Sequence, residues 1–145
     1  MKKIKIYTDG ACLGNPGAGG WCSILIYKEH KKVLKGGKSK TTNNEMELIA
    51  VLEALKRLKE PCDVEIYTDS QYVANSINDW IYKWSKNDWA VGIKKGIKHL
   101  DKWKELYELL KKHNVKAIWI KGHSGIRYNE ICDKLAKEEA EKYRG

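Results

Sequence analysis

The chain has 145 residues, a formal net charge of +9 and a sequence pI of about 9.3. This length is enough for one domain with its own core, and we expect residues 1–145 to form a single domain. No apolar stretch approaches the roughly 18 residues of a membrane span, and no secretory signal opens the sequence, so a cytoplasmic protein is expected. The positive charge favours a polyanionic partner, with a solvated Lys/Glu surface as the alternative.

The four cysteines are widely spaced and form no Cys-x-x-Cys pair. This spacing argues against a zinc site and favours reduced thiols.

Residue patterns predict an α/β fold on a mixed five-stranded sheet. Alternating or β-branched runs predict strands at residues 3–8, 20–28, 32–39, 63–68 and 115–121. Glycines and a proline predict a turn-rich loop at residues 14–20, between the first two strands. Helical periodicity predicts helices at residues 43–59, from a Ser70 N-cap to about residue 80, at 101–113 and at 129–144. The first three strands form an antiparallel meander, and right-handed crossovers would place the fourth strand, parallel, beside the first. Helices are expected on both faces.

The tetrapeptide Ile-Tyr-Thr-Asp occurs twice, at residues 6–9 and 66–69. Each copy closes a β-rich run, so Asp9 and Asp69 are expected at equivalent C-terminal ends of two strands. If those strands are parallel neighbours, the two carboxylates lie about 5 Å apart. They would repel each other unless a cation lay between them. The repeat therefore predicts a site for a hard divalent ion, Mg²⁺ or Mn²⁺.

Two further carboxylates are expected at the same end of the sheet. The apolar stripe of the helix at 43–59 reaches back to Glu47, and Asp133 borders the stripe of the last helix. Each acid alone is more often a turn, capping or surface residue. Their convergence is more specific, because an unneutralised cluster of charges is unfavourable. Two metal ions about 4 Å apart, bridged by a carboxylate, support phosphodiester hydrolysis.

The motifs around these acids resemble ribonuclease H of type 1 along nearly the whole chain. The matching segments are YTDGACLGNPG (7–17), TTNNEMEL (41–48), YTDSQ (67–71), KGHSG (121–125), Asn129 and CDKLA (132–136). The resemblance implies a ribonuclease H-like fold with a basic helical protrusion. It places the family's Asp-Glu-Asp-Asp metal site on Asp9, Glu47, Asp69 and Asp133.

The same resemblance implies an endonuclease that hydrolyses the RNA strand of RNA–DNA hybrids. Two Mg²⁺ ions would act in the site, Mn²⁺ is expected to substitute, and the products would carry 5′-phosphate and 3′-hydroxyl ends. We expect the chain to act as a monomer. His123 is more simply a surface histidine, but its match in the family assists proton transfer or product departure, a task that suits histidine.

The resemblance also implies substrate contacts at Cys12, Asn15, Lys40, Thr42, Asn43, Asn44, Gln71 and Asn129. Loop amides are usually turn formers, whereas the matching family amides contact the minor groove and RNA 2′-hydroxyls. Cys12 would contribute its backbone, and Lys40 and Thr42 match a pocket for a DNA-strand phosphate. Lys40 and Glu45 stand where Arg is frequent and His99 where Asn is common, which weakens the implied affinity but not the catalytic assignment.

Residues 80–103 interleave tryptophans with lysines. The simpler interpretation is an aromatic core with solvated lysines, and the i, i+4 spacing of Trp80 and Trp84 indicates some burial. Basic residues with aromatics also make a groove that follows a nucleic-acid strand, and the stretch resembles the family's basic protrusion. We expect a mixed role, with substrate contacts at Trp80, Trp84, Lys94, Lys95 and Lys98.

Two other functions compete with an active nuclease. A catalytically dead hybrid-binding module is disfavoured because all four carboxylates and His123 are present. A DNA-processing nuclease on the same fold, such as a resolvase or integrase core, is disfavoured by the amide patch and the basic protrusion. Fold alone could not separate these functions.

Overall fold

The computed structural model describes residues 1–86, 89–90 and 98–145, so the predicted contacts Lys94 and Lys95 lie outside the described residues. Its strands are β1 (Lys2–Leu13), β2 (Gly17–Tyr27), β3 (His30–Thr41), β4 (Cys62–Thr68) and β5 (Asn114–Trp119). Its helices are α1 (Asn43–Lys56), α2 (Gln71–Asn75), α3 (Ile81–Lys86), α4 (Leu100–Lys112) and α5 (Arg127–Lys142). A π-helical segment, Ser76–Trp80, joins α2 to α3.

The five strands form one mixed sheet in the order β3-β2-β1-β4-β5. β2 pairs antiparallel with both β1 and β3, whereas β4 is parallel to β1 and β5 is parallel to β4. This arrangement confirms the predicted antiparallel meander and the predicted place of the fourth strand beside the first.

Helices pack on both faces of the sheet, as predicted. α1 and α4 enclose the larger core, where Ile6, Leu55, Ile66 and Trp103 are completely buried. α5 lies over β1, β2 and β3 and closes a smaller cluster that includes Cys132. Burial of large side chains, about 1.5–3 kcal/mol each, drives this assembly and holds α1 and α5 against β1.

Side-chain caps fix where two of the helices begin. The Thr42 hydroxyl accepts a hydrogen bond from the Glu45 N–H at 3.2 Å at the start of α1. The Ser70 hydroxyl accepts one from the Val73 N–H at 3.2 Å at the start of α2, which confirms the predicted N-cap. Each cap satisfies a backbone donor that has no partner within its helix.

Several predicted boundaries are wrong. The predicted loop at 14–20 is shorter, because the antiparallel pairing of β1 with β2 continues to Leu13 and Ala18. α1 stops at Lys56 rather than Lys59, because the N–H groups of Arg57 and Leu58 bond to carbonyls three residues back, which tightens the last turn.

The predicted helix from residue 70 to about 80 is divided, with five residues of α2 followed by the π-helical segment. The Ser76 hydroxyl donates to the Tyr72 carbonyl at 2.7 Å, and such side-chain bonds compete with the helical ladder.

A side chain, rather than another strand, bonds to the backbone at the open edge of β5. Asn78 donates to the Ala117 carbonyl at 2.8 Å and accepts from the Ala117 N–H at 3.0 Å. This pair occupies backbone groups that could otherwise bond to another strand. In the described part of the chain, no helix is long and apolar enough to cross a membrane.

Candidate active site

Asp9 and Asp69 occupy equivalent positions on β1 and just after β4, but their local structure differs from the prediction. The parallel pairing of β1 with β4 ends at Tyr7 and Tyr67, two residues before each Asp. Only β4 ends next to its Asp, at Thr68, since β1 continues to Leu13 along β2. The prediction that both strands end at their Asp is therefore wrong for Asp9, although the two residues keep equivalent positions.

Asp9, Glu47 and Asp69 form a compact cluster in which one oxygen from each residue lies within 4.8 Å of the others. The Gly10 N–H donates to Asp9 Oδ1 at 2.9 Å and to Glu47 Oε1 at 3.1 Å. A Cβ on residue 10 would lie 2.7 Å from the Glu47 nitrogen. Glycine at this position therefore allows α1 to approach β1 closely enough for the two acids to share a donor.

Burial and mutual repulsion raise the pKa values of the three clustered acids in the absence of a cation. Burial, followed by the charge of Asp69, raises the pKa of Asp9 to about 7. Burial and the charge of Asp9 raise the pKa of Glu47 well above its usual value. Burial and the charge of Asp133 raise the pKa of Asp69. Protons and a cation would therefore compete for the same oxygens.

The donor set of the cluster fits a hard divalent ion. Asp9 Oδ2 and Glu47 Oε2 are buried and have no hydrogen-bond donor among the described residues. An ionised carboxylate only accepts hydrogen bonds, and buried oxygens of this kind are stabilised by a cation such as Mg²⁺. The three carboxylates could hold such an ion between β1, α1 and the end of β4.

Asp133, on α5, lies at the border of the cluster and is not one of the three clustered acids. Its carboxylate is 3.0 Å from Lys137 Nζ and its side chain is 23% exposed. Its charge contributes to the raised pKa values of both Asp9 and Asp69. The predicted role of Asp133 as a metal ligand stays a prediction.

The loop after β5 brings His123 near Asp69. A Cβ on Gly122 would lie 2.9 Å from Asp69 Oδ2, so the loop backbone closely approaches this carboxylate. His123 has a positive φ of 56°, and its side chain is 71% exposed with Nδ1 at 4.0 Å from Glu130. The imidazole is therefore exposed beside the cluster, and its predicted role in proton transfer stays a prediction.

A groove of about 470 Å³ is lined by the start of α1, the helix that carries Glu47, and by Tyr72, three residues after Asp69. The structure brings seven predicted contacts together in its walls: Asn15, Thr42, Asn43, Asn44, Trp80, Trp84 and Lys98. The Asn15 side chain accepts a hydrogen bond from the Asn43 N–H at 3.3 Å, which ties the β1–β2 turn to the start of α1. Amides, aromatic rings and a cation are the groups that bind a nucleic-acid strand.

Four predicted contacts are not among the residues that line this groove. The Cys12 thiol donates to the carbonyls of Gly14 and Thr41, so its side chain stabilises a turn. Lys40 is exposed on β3 and Gln71 is exposed at the start of α2, two residues after Asp69, whereas Asn129 is buried in α5. Their roles in substrate binding stay predictions.

Glu45, beside the groove, is a buried carboxylate that joins three elements. It accepts a hydrogen bond from Thr41, and its Oε2 is 3.0 Å from Lys38 Nζ, 3.5 Å from Lys102 Nζ and 3.8 Å from His99 Nδ1. Burial acts to raise the pKa of Glu45, but the hydrogen bonds from Thr41 and Lys38 and the nearby cations outweigh it and hold the pKa at about 2. Its negative charge is therefore largely neutralised within the protein.

The tryptophans divide between core and surface. Trp89 and Trp103 are buried, and Trp103 packs edge-on against Trp84 and Tyr72 with ring centroids 5.6 Å apart in each pair. Trp80 is 36% exposed at the groove. These placements agree with the expected division between packing and exposed aromatics, and their substrate role stays a prediction.

Sequence reasoning missed three residues of this region. Tyr72 lines the groove, Gly10 holds two carboxylates, and Trp119 is exposed with its indole bonded to the Asp69 carbonyl. Tyr72 follows the predicted contact Gln71 directly, which was an available signal. Gly10 likewise follows Asp9 directly within the matched segment 7–17, whereas no local signal in the sequence marks Trp119.

Comparisons with known proteins agree with this geometry. The family model described as RNase H matches residues 1–141. Ribonuclease H of Caldicellulosiruptor saccharolyticus is 56% identical over 145 residues, which cover 99% of this chain and 100% of that protein.

Two solved structures share the fold. LC9-RNase H1, described as a type 1 RNase H with the type 2 active-site motif, superposes with a TM-score of 0.85 and 27% identity over 98% of this chain and 74% of that one. The foamy viral protease-reverse transcriptase in complex with RNA/DNA hybrid matches with a TM-score of 0.76 and 25% identity over 97% of this chain and 20% of that one.

Proposed function

Because the chain belongs to the ribonuclease H family and is a type 1 member, we propose that it cleaves the RNA strand of RNA–DNA hybrids by two-metal-ion catalysis, leaving 5′-phosphate and 3′-hydroxyl ends. The family activity, endonucleolytic hydrolysis of RNA in such hybrids, defines the enzyme class. The observation that carries the metal-dependent mechanism is the cluster of Asp9, Glu47 and Asp69 with its two buried carboxylate oxygens that lack donors.

Each carboxylate has a defined place in this mechanism. Asp9, Glu47 and Asp69 would hold the ions, and Asp133 would complete the set from α5. Bound Mg²⁺ supplies activation of the attacking water and stabilisation of the leaving oxygen, and Mn²⁺ is expected to substitute because it also prefers oxygen ligands. Gly10 keeps two of the acids oriented through its shared N–H.

The surrounding residues bind the hybrid and move protons. The amides of Asn15, Asn43 and Asn44 would hydrogen-bond RNA 2′-hydroxyls, the feature that separates RNA from DNA locally. His123, exposed beside Asp69, would transfer a proton between the reacting groups and solvent. The net charge of +9 supports attraction of the polyanionic substrate.

The proposal includes a monomer that acts in the cytoplasm. The four cysteines are free thiols, which supports a reducing compartment. Gel filtration with light scattering would test the monomer, since a mass near twice 16.7 kDa would contradict it.

A cleavage assay on four substrates tests the function. Labelled RNA–DNA hybrid, duplex RNA, duplex DNA and single-stranded RNA are incubated with Mg²⁺, with Mn²⁺ or with EDTA, beside Asp9→Asn as an inactive control. Cleavage is expected only for the RNA of the hybrid and only with metal, and the fragments should carry 5′-phosphates. Cleavage in EDTA or of duplex DNA would overturn the mechanism, and binding of the hybrid without cleavage would support the dead binding module.

A further inference from the structure

Trp119, the last residue of β5, is an exposed aromatic beside the carboxylate cluster. Its side chain is 47% exposed. Since β5 runs parallel to β4, Trp119 lies opposite Thr68, the residue before Asp69. Its indole N–H donates to the Asp69 carbonyl oxygen at 3.0 Å. The ring is therefore fixed against the strand end that carries Asp69.

The hydrogen bond determines what the ring offers to solvent. The single polar atom of the indole is bonded within the protein, so the exposed part of the side chain is hydrocarbon. Isolated exposed aromatics are common on protein surfaces, so exposure alone assigns no role. The position of Trp119 does suggest a role, because β5 lies next to β4 and Trp119 continues the row formed by Asp9 and Asp69 across neighbouring strands.

β1, β4 and β5 are consecutive in the sheet. Two strand spacings, roughly 10 Å in all, separate the Trp119 backbone from that of Asp9. Successive nucleotides of one strand are about 3.4 Å apart along a duplex axis. If the bound strand crosses the ends of β1, β4 and β5 with its cleaved phosphate at the carboxylates, one of its nucleotides lies at Trp119, about three positions away.

We propose that the Trp119 ring contacts the RNA strand within about three nucleotides of the cleaved phosphate, as a hydrophobic surface for a base or ribose. The proposal rests on the function proposed above and names a substrate-contact residue for it. A stacking contact of this kind tolerates any base, because every base has an aromatic face. Trp119 takes no part in the chemical step and fixes the path of the strand beside it.

Kinetics of two variants separate a ring contact from support of Asp69. Trp119→Ala removes both the ring and the hydrogen bond, whereas Trp119→Phe keeps a ring and loses only the hydrogen bond. The ring contact predicts that Trp119→Ala raises KM for a hybrid about fivefold to tenfold at nearly constant kcat, as expected for one stacked base. Trp119→Phe should recover most of that loss.

A matched control is available in Tyr143, an aromatic residue of similar exposure, 42%, in the C-terminal segment. Tyr143→Ala should leave KM unchanged. If Trp119→Phe and Trp119→Ala lower kcat equally with KM constant, the residue acts only through Asp69 and the ring contact is wrong.

A measurement on the parent sequence reports on the ring directly, with a variant needed only to assign the signal. The protein is labelled with 5-fluorotryptophan, and Trp119→Phe assigns its ¹⁹F resonance. In EDTA, where no cleavage occurs, the hybrid is added and the H₂O-to-D₂O shift of that resonance is measured. A solvent-exposed ring shows this shift, so its loss on binding is expected.

Failure of this inference can be distinguished from failure of the proposed function. If gel-shift titration shows that the hybrid binds while the Trp119 resonance keeps its solvent shift, the inference is overturned and the proposed function stands. If no hybrid binds and none is cleaved in Mg²⁺, the proposed function fails and the inference falls with it.

Discussion

At Asp9, folding stability and catalysis have opposite requirements. Its Oδ1 accepts the Gly10 N–H, but its Oδ2 is buried without a donor among the described residues. Burial and the charge of Asp69 raise its pKa to about 7. Without metal, the ionised cluster therefore destabilises the folded state, a liability retained for function.

Asp9→Asn should abolish cleavage and stabilise the metal-free protein by about 1 kcal/mol, because it removes one of the repelling charges. Thermal unfolding of parent and variant in EDTA measures this effect. Added Mg²⁺ should stabilise the parent more than the variant, since ligand binding to the folded state adds stability. A variant that melts below the parent in EDTA would show that the Gly10 hydrogen bond outweighs the repulsion.

The pH dependence of the metal-free parent follows from the same raised pKa. Between an unfolded value of 3.8 and a folded value of about 7, the folded state binds more protons than the unfolded chain. Stability should therefore fall as pH rises through that interval. The fall should be smaller in Asp9→Asn, and unfolding in urea at pH 5 and pH 8 in EDTA measures the difference. An equal fall in both proteins would assign it to other groups.

His123 provides a second test at the level of single residues. It is exposed, and its charge acts on Asp69 from outside the three-acid cluster. His123→Ala should therefore lose about 10²-fold in rate or less, as acid–base groups typically do, with unchanged Mg²⁺ affinity by calorimetry. Inactivation as complete as that of Asp9→Asn would mean that the residue is a ligand or a structural element.

At the scale of elements, Glu45 connects β3, α1 and α4 beside the groove through its hydrogen bonds and ion pairs. Lys38 belongs to β3, Lys102 to α4, and His99 precedes α4 with a positive φ of 63°. The two lysines and the imidazole surround an internal carboxylate, which reduces the charge that the lysines present to a polyanion. The contact between β3, α1 and α4 therefore gains stability, while the groove attracts a polyanion less strongly.

Glu45→Gln should show both effects at once. It should destabilise the fold by about 1 kcal/mol, since its lysine partners are partly exposed and solvent screens them. It should also lower KM for the hybrid severalfold at constant kcat, because Lys38 and Lys102 become available to phosphate. Glu53→Gln, a matched change on α1 that removes an exposed ion pair with Lys56, should leave KM unchanged. A higher KM for Glu45→Gln would mean that Glu45 orients groups that bind the substrate.

The pKa of Glu45 at about 2 adds a pH signature. A carboxylate with a depressed folded pKa stabilises the fold above its unfolded value, 4.5 for this group, and loses that contribution as pH falls towards 2. Acid unfolding between these values should be less steep in Glu45→Gln than in Glu53→Gln.

The repeated tetrapeptide and helical periodicity were sufficient to predict that β4 lies beside β1 and that Asp9, Glu47 and Asp69 lie together. They succeeded because strand adjacency and helix faces follow from local patterns. The extent of β1 and β2 was not predicted, because glycines that read as a loop instead pair across an antiparallel ladder. The shared donor of Gly10 and the contact of Trp119 with Asp69 depend on residues distant in sequence, which no local pattern contains.

At the scale of the whole molecule, substrate recognition is distributed over several elements. Asn15 lies in the β1–β2 turn, Asn43 and Asn44 open α1, and Gln71 opens α2 near Asp69. The hydrogen bond between Asn15 and the Asn43 N–H fixes the first two relative to each other. If these amides bind 2′-hydroxyls, recognition requires several consecutive ribonucleotides rather than one.

A single ribonucleotide embedded in duplex DNA should therefore be a poor substrate. It offers one 2′-hydroxyl, and each lost hydrogen bond costs about 0.5–1.5 kcal/mol, so the loss of two or three should reduce kcat/KM by roughly 10- to 10³-fold. The measurement compares duplexes that carry one, two, four or all ribonucleotides in the cleaved strand. Activity should rise steeply up to about four, because only then can all the amides find a partner. Efficient cleavage at one ribonucleotide, comparable with an all-RNA strand, would mean that the enzyme recognises a single ribose beside the carboxylates. The amides would then only stabilise the β1–β2 turn and the starts of the helices.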